Sequence, residues 1–263
     1  MELTPETVAG LANEAGLVNL SFVLQRLDRP SAGAVVVEPE RALYPASMLK
    51  TPLAVAAYTL VQDGELRLDQ TFEVTEGNMT ANDKPSPLVP GYRSPVTELI
   101  ELMITISDNV ATNMFYDIVG RERASRIVQE RYGLRGTAFW RKLSGSLPLI
   151  HDPEWDGVHR NTHPAGDAAR LFEMIARDEV PFAFALRETL LRQQFNERLP
   201  EGFRPGDRFA HKTGSTDEVS HDGGILYTAE GASYAIAVYT GLEATDENDA
   251  RFGPFMKSLR DYL

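Results

Sequence analysis

Apolar and polar positions alternate with two different periods along this chain. Residues 3–15, entered through Leu3-Thr4-Pro5, read as a short amphipathic helix. Asn19 to Asp28 then alternates at Leu20, Phe22 and Leu24, less strictly at Leu27, as a half-buried strand does. The turn residues Arg29-Pro30-Ser31-Ala32-Gly33 lead into valine-rich Ala34 to Glu38, and the two strands predict a hairpin. From Tyr44-Pro45 a loop becomes an almost wholly apolar run to Val61, the pattern of a helix buried on most sides, ended by Gly64. Thr75 to Arg93, polar and carrying Pro85, Pro87 and Pro90, reads as a surface loop. Ser94-Pro95, an N-cap with a first-turn proline, opens a helix through Val96, Leu99, Ile100, Met103 and Ile104. A second carries Val110, Met114, Phe115, Ile118 and Val119 to Gly120, with Ser107-Asp108-Asn109 between the two.

Arg121 to Tyr132 is a further helix, and Trp140 to Thr162 is a long irregular segment of a length usually reserved for function. Thr162-His163-Pro164 opens a helix through Leu171, Phe172 and Ile175, and Pro181 precedes one through Leu186, Leu190 and Leu191. Strands return at Arg208 to Thr213, Gly224 to Thr228 and Ser233 to Thr240, and Phe252 to Leu263 closes the chain as a helix. A lone hairpin is marginally stable, so the early and late strands are expected to share one sheet. The expected fold is α/β (α+β): an antiparallel sheet flanked by N- and C-terminal helices, with an inserted all-helical lobe. The α/β lobe would hold residues 1–46 and 205–263 and the helical lobe 47–204, with an active site where they meet.

Composition narrows the function more than the fold. The 263 residues suffice for one large core or two interleaved lobes, and a monomer is expected. A formal net charge of -12 argues against a nucleic-acid footprint, which needs basic patches. Without cysteine there are neither disulfides nor thiolate metal sites. Met1-Glu2-Leu3-Thr4-Pro5-Glu6 lacks the basic start and apolar core of a signal peptide, so a cytoplasmic location is expected if the sequence is full length. No run of 18 apolar residues is present to span a membrane.

Candidate chemistry begins at Ser47-Met48-Leu49-Lys50. At a helix start, residues three apart share a face, so the Ser47 hydroxyl and Lys50 amine can meet. A serine hydroxyl needs a base to become a nucleophile, and a lysine is a base only when desolvation or nearby positive charge lowers its pKa. Alone, the pattern more often marks a surface helix start with Ser47 as N-cap and Lys50 facing water. Ser107-Asp108-Asn109 and Lys212-Thr213-Gly214 follow in order, on an inter-helix turn and a strand edge. That triple set is known from class A β-lactamases and penicillin-binding proteins. The chain resembles this class A-like serine β-lactamase and penicillin-binding protein family from its first strand to its last helix, Tyr44-Pro45-Ala46 and Gly64-Glu65-Leu66-Arg67-Leu68-Asp69 included.

The resemblance implies acyl transfer without a cofactor, on a small-molecule substrate: a β-lactam or a peptidoglycan-like peptide. Ser47 would attack the lactam carbonyl, Lys50 would take or relay its proton, and Ser107, helped by Lys212, would protonate the leaving nitrogen. Backbone N–H groups of Ser47 and Ser215 would hold the oxyanion. Lys212, Thr213 and Ser215 would bind the substrate carboxylate and Asn109 its amide, Gly214 would leave room beside the strand, and Asp108 would be structural. Family members are commonly exported. The departure lies in Trp140 to Thr162, where the family's glutamate with a following Leu-Asn is absent and Glu154 is the nearest carboxylate, either a hydrolytic base or a solvated loop acid. The basic residue often found after the third motif is also missing, with His221 its only candidate, and His211 reads as a packing residue. His159 and His163, four apart and near His151, have a zinc-like spacing but cross a helix boundary without H-E-x-x-H, so no metal site is expected. Three outcomes share the acylation machinery: a β-lactamase, a D,D-peptidase or esterase, and a binding protein that releases its acyl group slowly.

Overall fold

Both ends of the chain contribute strands to one five-stranded antiparallel sheet. A computed structural model describes residues 3–29, 33–145 and 152–263. In chain order these form α1 (Pro5–Ala15), β1 (Ser21–Arg26), β2 (Ala34–Val37), α2 (Lys50–Gln62), β3 (Thr71–Glu73), β4 (Arg93–Pro95), α3 (Val96–Thr105), α4 (Asn109–Val119), α5 (Arg121–Tyr132), α6 (Ala165–Ala176), α7 (Ala183–Leu190), β5 (Arg208–Ser215), β6 (Ser220–Tyr227), β7 (Ser233–Thr240), α8 (Asp246–Asp249) and α9 (Phe252–Leu259). No helix among them is long and apolar enough to cross a membrane. The chain divides into a sheet unit (Met1–Met48, His163–Glu179, Ala183–Leu263) and a helical unit (Leu49–Thr162, Val180–Phe182).

In the sheet unit the strand order is β2-β1-β7-β6-β5. Phe22, Leu24, Leu226, Ile236 and Val238 form a buried cluster with Val8 and Ala12 of α1 and Phe252, Phe255, Met256 and Leu259 of α9. Burying each large side chain of this kind contributes about 1.5–3 kcal/mol. α6 packs on β1, β6 and β7, and α7 on β5. Residues 163–179 and 183–204 therefore belong with the sheet, where the sequence had assigned them to the helical lobe. The reason is the sheet's second face, which carries buried Ala235, Ala237 and Tyr239 and needs an apolar cover. β6 also starts earlier than its apolar residues suggest, at Ser220, because polar Ser220, His221 and Asp222 are buried there and hydrogen-bonded.

The helical unit is built on α2, buried from Lys50 to Leu60 and packed by α3, α4 and α5. It is not all-helical. β3 and β4 form a two-stranded sheet in which Phe72 faces Ser94. Ser94 is consequently a ladder residue and not the N-cap of α3: its hydroxyl donates to Glu98 Oε2 at 2.6 Å, and Pro95 holds the cap position.

Candidate active site

Directly opposed residues of an antiparallel pair share a face. Lys212 faces Gly223, Gly214 faces His221, and His221 faces Tyr239, so these residues line one side of β5, β6 and β7. The turn carrying Ser47 lies on that side. A Cβ at Gly214 would sit 2.9 Å from Pro45 O and 3.1 Å from Met48 Cγ, and one at Gly223 would sit 3.2 Å from Met48 Cε. Glycine at 214 thus lets the Ser47 turn approach the Lys212-Thr213-Gly214 strand. Ser47 sits in a 3-10 turn, Ala46–Leu49, that runs on into α2. It is partly exposed between buried Ala46 and Met48. Ala46 holds a left-handed φ of 49°, a strained conformation of the kind that collects at functional sites. Lys212 is fully buried and donates from Nζ to Thr213 O at 2.9 Å.

At the end of β5 the sheet unit supplies a cation that the sequence did not single out. Arg198 donates from Nη2 to Ser215 Oγ (2.7 Å) and Asp249 Oδ2 (2.8 Å), and from Nε to Ser220 Oγ (2.8 Å). Its backbone is fixed one residue on, where Leu199 N–H donates to Asp222 Oδ2 at 3.2 Å. The other Asp222 oxygen bonds His211 Nδ1 at 2.8 Å, and His211 Nε2 lies 3.2 Å from Asn196 Oδ1. His211 is therefore part of a buried polar network, where packing alone had been expected. His221 is no anion-binding cation: burial lowers its pKa to about 4. Its Nε2–H donates to Tyr44 O at 2.8 Å, and its Nδ1 accepts from Thr240 N–H at 3.2 Å.

The helical unit gathers three of the expected site residues. Lys50 Nζ donates to Ser107 O (2.5 Å), Ser107 Oγ (3.0 Å) and Asn109 Oδ1 (2.7 Å). All three acceptors are uncharged. Burial lowers the Lys50 pKa to about 7, against the opposing pull of Asp108 and Asp83. Ser107 is held at a left-handed φ of 57°. Asp108 caps α4, its Oδ1 accepting from Ala111 N–H at 2.9 Å. Asn109, expected to meet substrate, spends its side-chain oxygen on Lys50 and one amide hydrogen on Ala81 O, at 2.8 Å. Its backbone N–H donates to Asn82 Oδ1 at 2.6 Å. The proline-bearing loop read as mere surface thus supplies two groups that fix the cluster.

Glu154 sits elsewhere in this unit, on an anchored loop. Arg121 reaches both oxygens of Asp152, at 2.8 and 2.9 Å, Glu154 Oε2 at 2.8 Å and Trp140 O at 2.9 Å. The Glu154 side chain is 76% exposed, that of Asp152 only 5%. Asn161 Oδ1 closes the loop base by accepting from Trp140 N–H and Arg141 N–H. His159 is exposed, pairs with Asp156 and stacks on Trp140 at 4.5 Å. His163 is buried, with its pKa lowered to about 3, and His151 lies outside the described residues.

The sequence profile of the Beta-lactamase enzyme family matches residues 5–255. The chain belongs to that family. The β-lactamase regulatory protein BlaB of Streptomyces cacaoi is 25% identical over 300 aligned positions, covering 95% of this chain and 94% of the relative. A β-lactamase from Sphaerobacter thermophilus shares the fold, with a TM-score of 0.81, 24% identity and coverage of 99% and 98% of the two chains. A mutant of PBP-A, solved as its acyl-enzyme with penicillin G, matches with a TM-score of 0.81 and 25% identity over 98% of this chain and 96% of that one. Among these β-lactamase-family folds the mixed architecture, with its antiparallel sheet, is shared.

Proposed function

We propose that this chain is a serine hydrolase that reacts with β-lactams through an acyl-enzyme on Ser47. The observation that carries the reading is Lys50: a fully buried lysine, with pKa lowered to about 7, hydrogen-bonded to Ser107 Oγ and lying three residues after Ser47 on one helical run. A lysine with that proton affinity is half neutral near physiological pH, which is the condition for a general base. Ser47 Oγ attacks the lactam carbonyl and its proton passes to Lys50. The C–N bond breaks, and the nitrogen leaves with a proton delivered through Ser107. Backbone N–H groups of Ser47 and Ser215 stabilise the oxyanion, where one such donor is worth about 2.7–4 kcal/mol of barrier. Lys212, Thr213 and Ser215 take the substrate carboxylate, and Arg198, itself paired with Asp249, orients the Ser215 hydroxyl at that end of β5. Water then cleaves the ester to regenerate Ser47.

A second reading, slow release of the acyl group as in a D,D-peptidase, an esterase or a sensor, is favoured by one feature. Glu154, the only loop carboxylate singled out for hydrolysis, is exposed and ion-paired to Arg121. Intact-protein mass spectrometry with penicillin G, beside a chromogenic cephalosporin assay, tests both readings. The expected result is an adduct on Ser47 that Ser47→Ala lacks, with a burst before a slower steady state. An adduct that persists in Ser47→Ala would overturn the assignment of the nucleophile.

A further inference from the structure

Residues 41–45, which deliver the chain to Ser47, lie in neither helix nor strand, and their backbone bonds are local, such as Leu43 N–H to Arg41 O at 2.8 Å and Met48 N–H to Pro45 O at 3.1 Å. Gly214 and Gly223 give the turn room and do not hold it. A directional hold from the sheet comes from His221. Its Nε2–H donates to Tyr44 O at 2.8 Å, three residues before Ser47. The imidazole is itself fixed from two further sides. Nδ1 accepts from Thr240 N–H at 3.2 Å, and the ring stacks on its cross-strand neighbour Tyr239 at 4.1 Å and 9°. Only the neutral Nε2–H tautomer satisfies both hydrogen bonds, so proton position and ring orientation are both specified.

We infer that His221 is a positioning residue for the nucleophile, fixing the Tyr44 carbonyl and so the placement of Ser47 on the Lys212 strand. The inference rests on Ser47 being the nucleophile of the proposed reaction. A core histidine with no such role would have the same burial and the same stack. What sets this one apart is that its donor reaches from the sheet to the irregular segment that leads to the nucleophile.

Two amides separate the roles. In His221→Asn the short amide can still accept from Thr240 N–H but cannot reach Tyr44 O, whereas in His221→Gln the longer amide places a donor near the Nε2 position. The full chain and both variants are followed by intact mass after mixing with penicillin G, giving a saturating acylation rate and a half-saturation concentration. In His221→Asn the saturating rate is expected to fall about tenfold to a hundredfold, with the half-saturation concentration little changed, because misplacement by about 1 Å can cost about 10²-fold. His221→Gln is expected to recover most of the loss. If His221→Asn does not fold, His221→Phe, which keeps the ring stack and removes the donor, takes its place and should show the same loss. Equal acylation rates in the native chain and the donor-less variant, or a loss that Gln fails to recover, would overturn the inference. A Ser47→Ala control that still labels would instead bring down the reading on which it rests.

Discussion

Lys50 and Arg121 are both buried cations of the helical unit, and the charge of their partners separates them. Lys50 donates only to neutral oxygens, so burial is not repaid by a bonded carboxylate and its pKa falls to about 7. At Arg121 burial also opposes the charge, yet the hydrogen bonds it donates to Glu154 and Asp152 raise its pKa. One cation is left able to give up its proton, and the other is locked as an ion. The difference places an amine of lowered pKa beside Ser107 and an ion cluster in the loop where a hydrolytic base would be sought.

Removing the tunable cation should have the largest effect. Lys50→Gln retains a polar side chain without a base, and the penicillin G acylation rate is expected to drop by about 10² to 10⁴. In the native chain that rate should rise with pH through about 7 and then level, because only neutral Lys50 accepts the Ser47 proton. The same group affects stability in the opposite range. Between its folded pKa of about 7 and its ordinary value of 10.5, the unfolded chain binds a proton that the folded chain does not. The Lys50 contribution is therefore fully present above 10.5 and is lost as pH falls towards 7. An acylation rate that is flat from pH 5 to 9, about two units either side of that pKa, would break the contrast at its first member.

The second member is probed at Asp152. Both its oxygens meet Arg121, and Oδ2 also accepts from Lys142 N–H at 2.8 Å. Asp152→Asn leaves a buried guanidinium short of its main counter-charge and is expected to cost about 3–5 kcal/mol of unfolding free energy, measured by urea denaturation. A smaller effect is expected at Asp108. Among the described residues its buried Oδ2 has no hydrogen-bond partner, an expensive state that makes sense if the charge acts at a distance by holding up the Lys50 pKa. Asp108→Asn keeps a capping oxygen for Ala111 and removes that pull, so the rise of acylation rate with pH should move to lower pH. A profile that stays in place, or moves upward, would contradict this electrostatic account.

Periodicity made the elements legible wherever burial alone shapes them. β7 and α5 run over the residues their patterns predict, Ser233–Thr240 and Arg121–Tyr132, since each is a clean alternation or a 3.6-residue stripe. It was less informative where polar groups are buried by distant partners. Ser220, His221 and Asp222 precede the strand predicted from Gly224, and in β6 they are satisfied by Asp249, Tyr44 and His211. The assignment of α6 and α7 to the sheet depends on which neighbour an apolar face meets, and a stripe does not encode that. The motif residues stood out by type and spacing. Arg198 and Asn82 sit in no motif, and only the fold brings them to Ser215 and Asn109.

The smallest expected effect is the most discriminating, at Glu154. Its carboxylate shares Arg121 with Asp152 and is 76% exposed, so water already solvates it and the pair contributes little. Glu154→Gln should change unfolding free energy by at most about 1 kcal/mol. On the anchor reading it should also leave the decay of the Ser47 adduct within about threefold of the native chain, far from the 10² to 10⁴ expected on losing a positioned base. Decay is followed by intact mass after excess penicillin G is removed. If the native chain sheds its adduct quickly and Glu154→Gln traps it, Glu154 is the hydrolytic base despite its ion pair. The loop would then have to release that carboxylate from Arg121 during turnover.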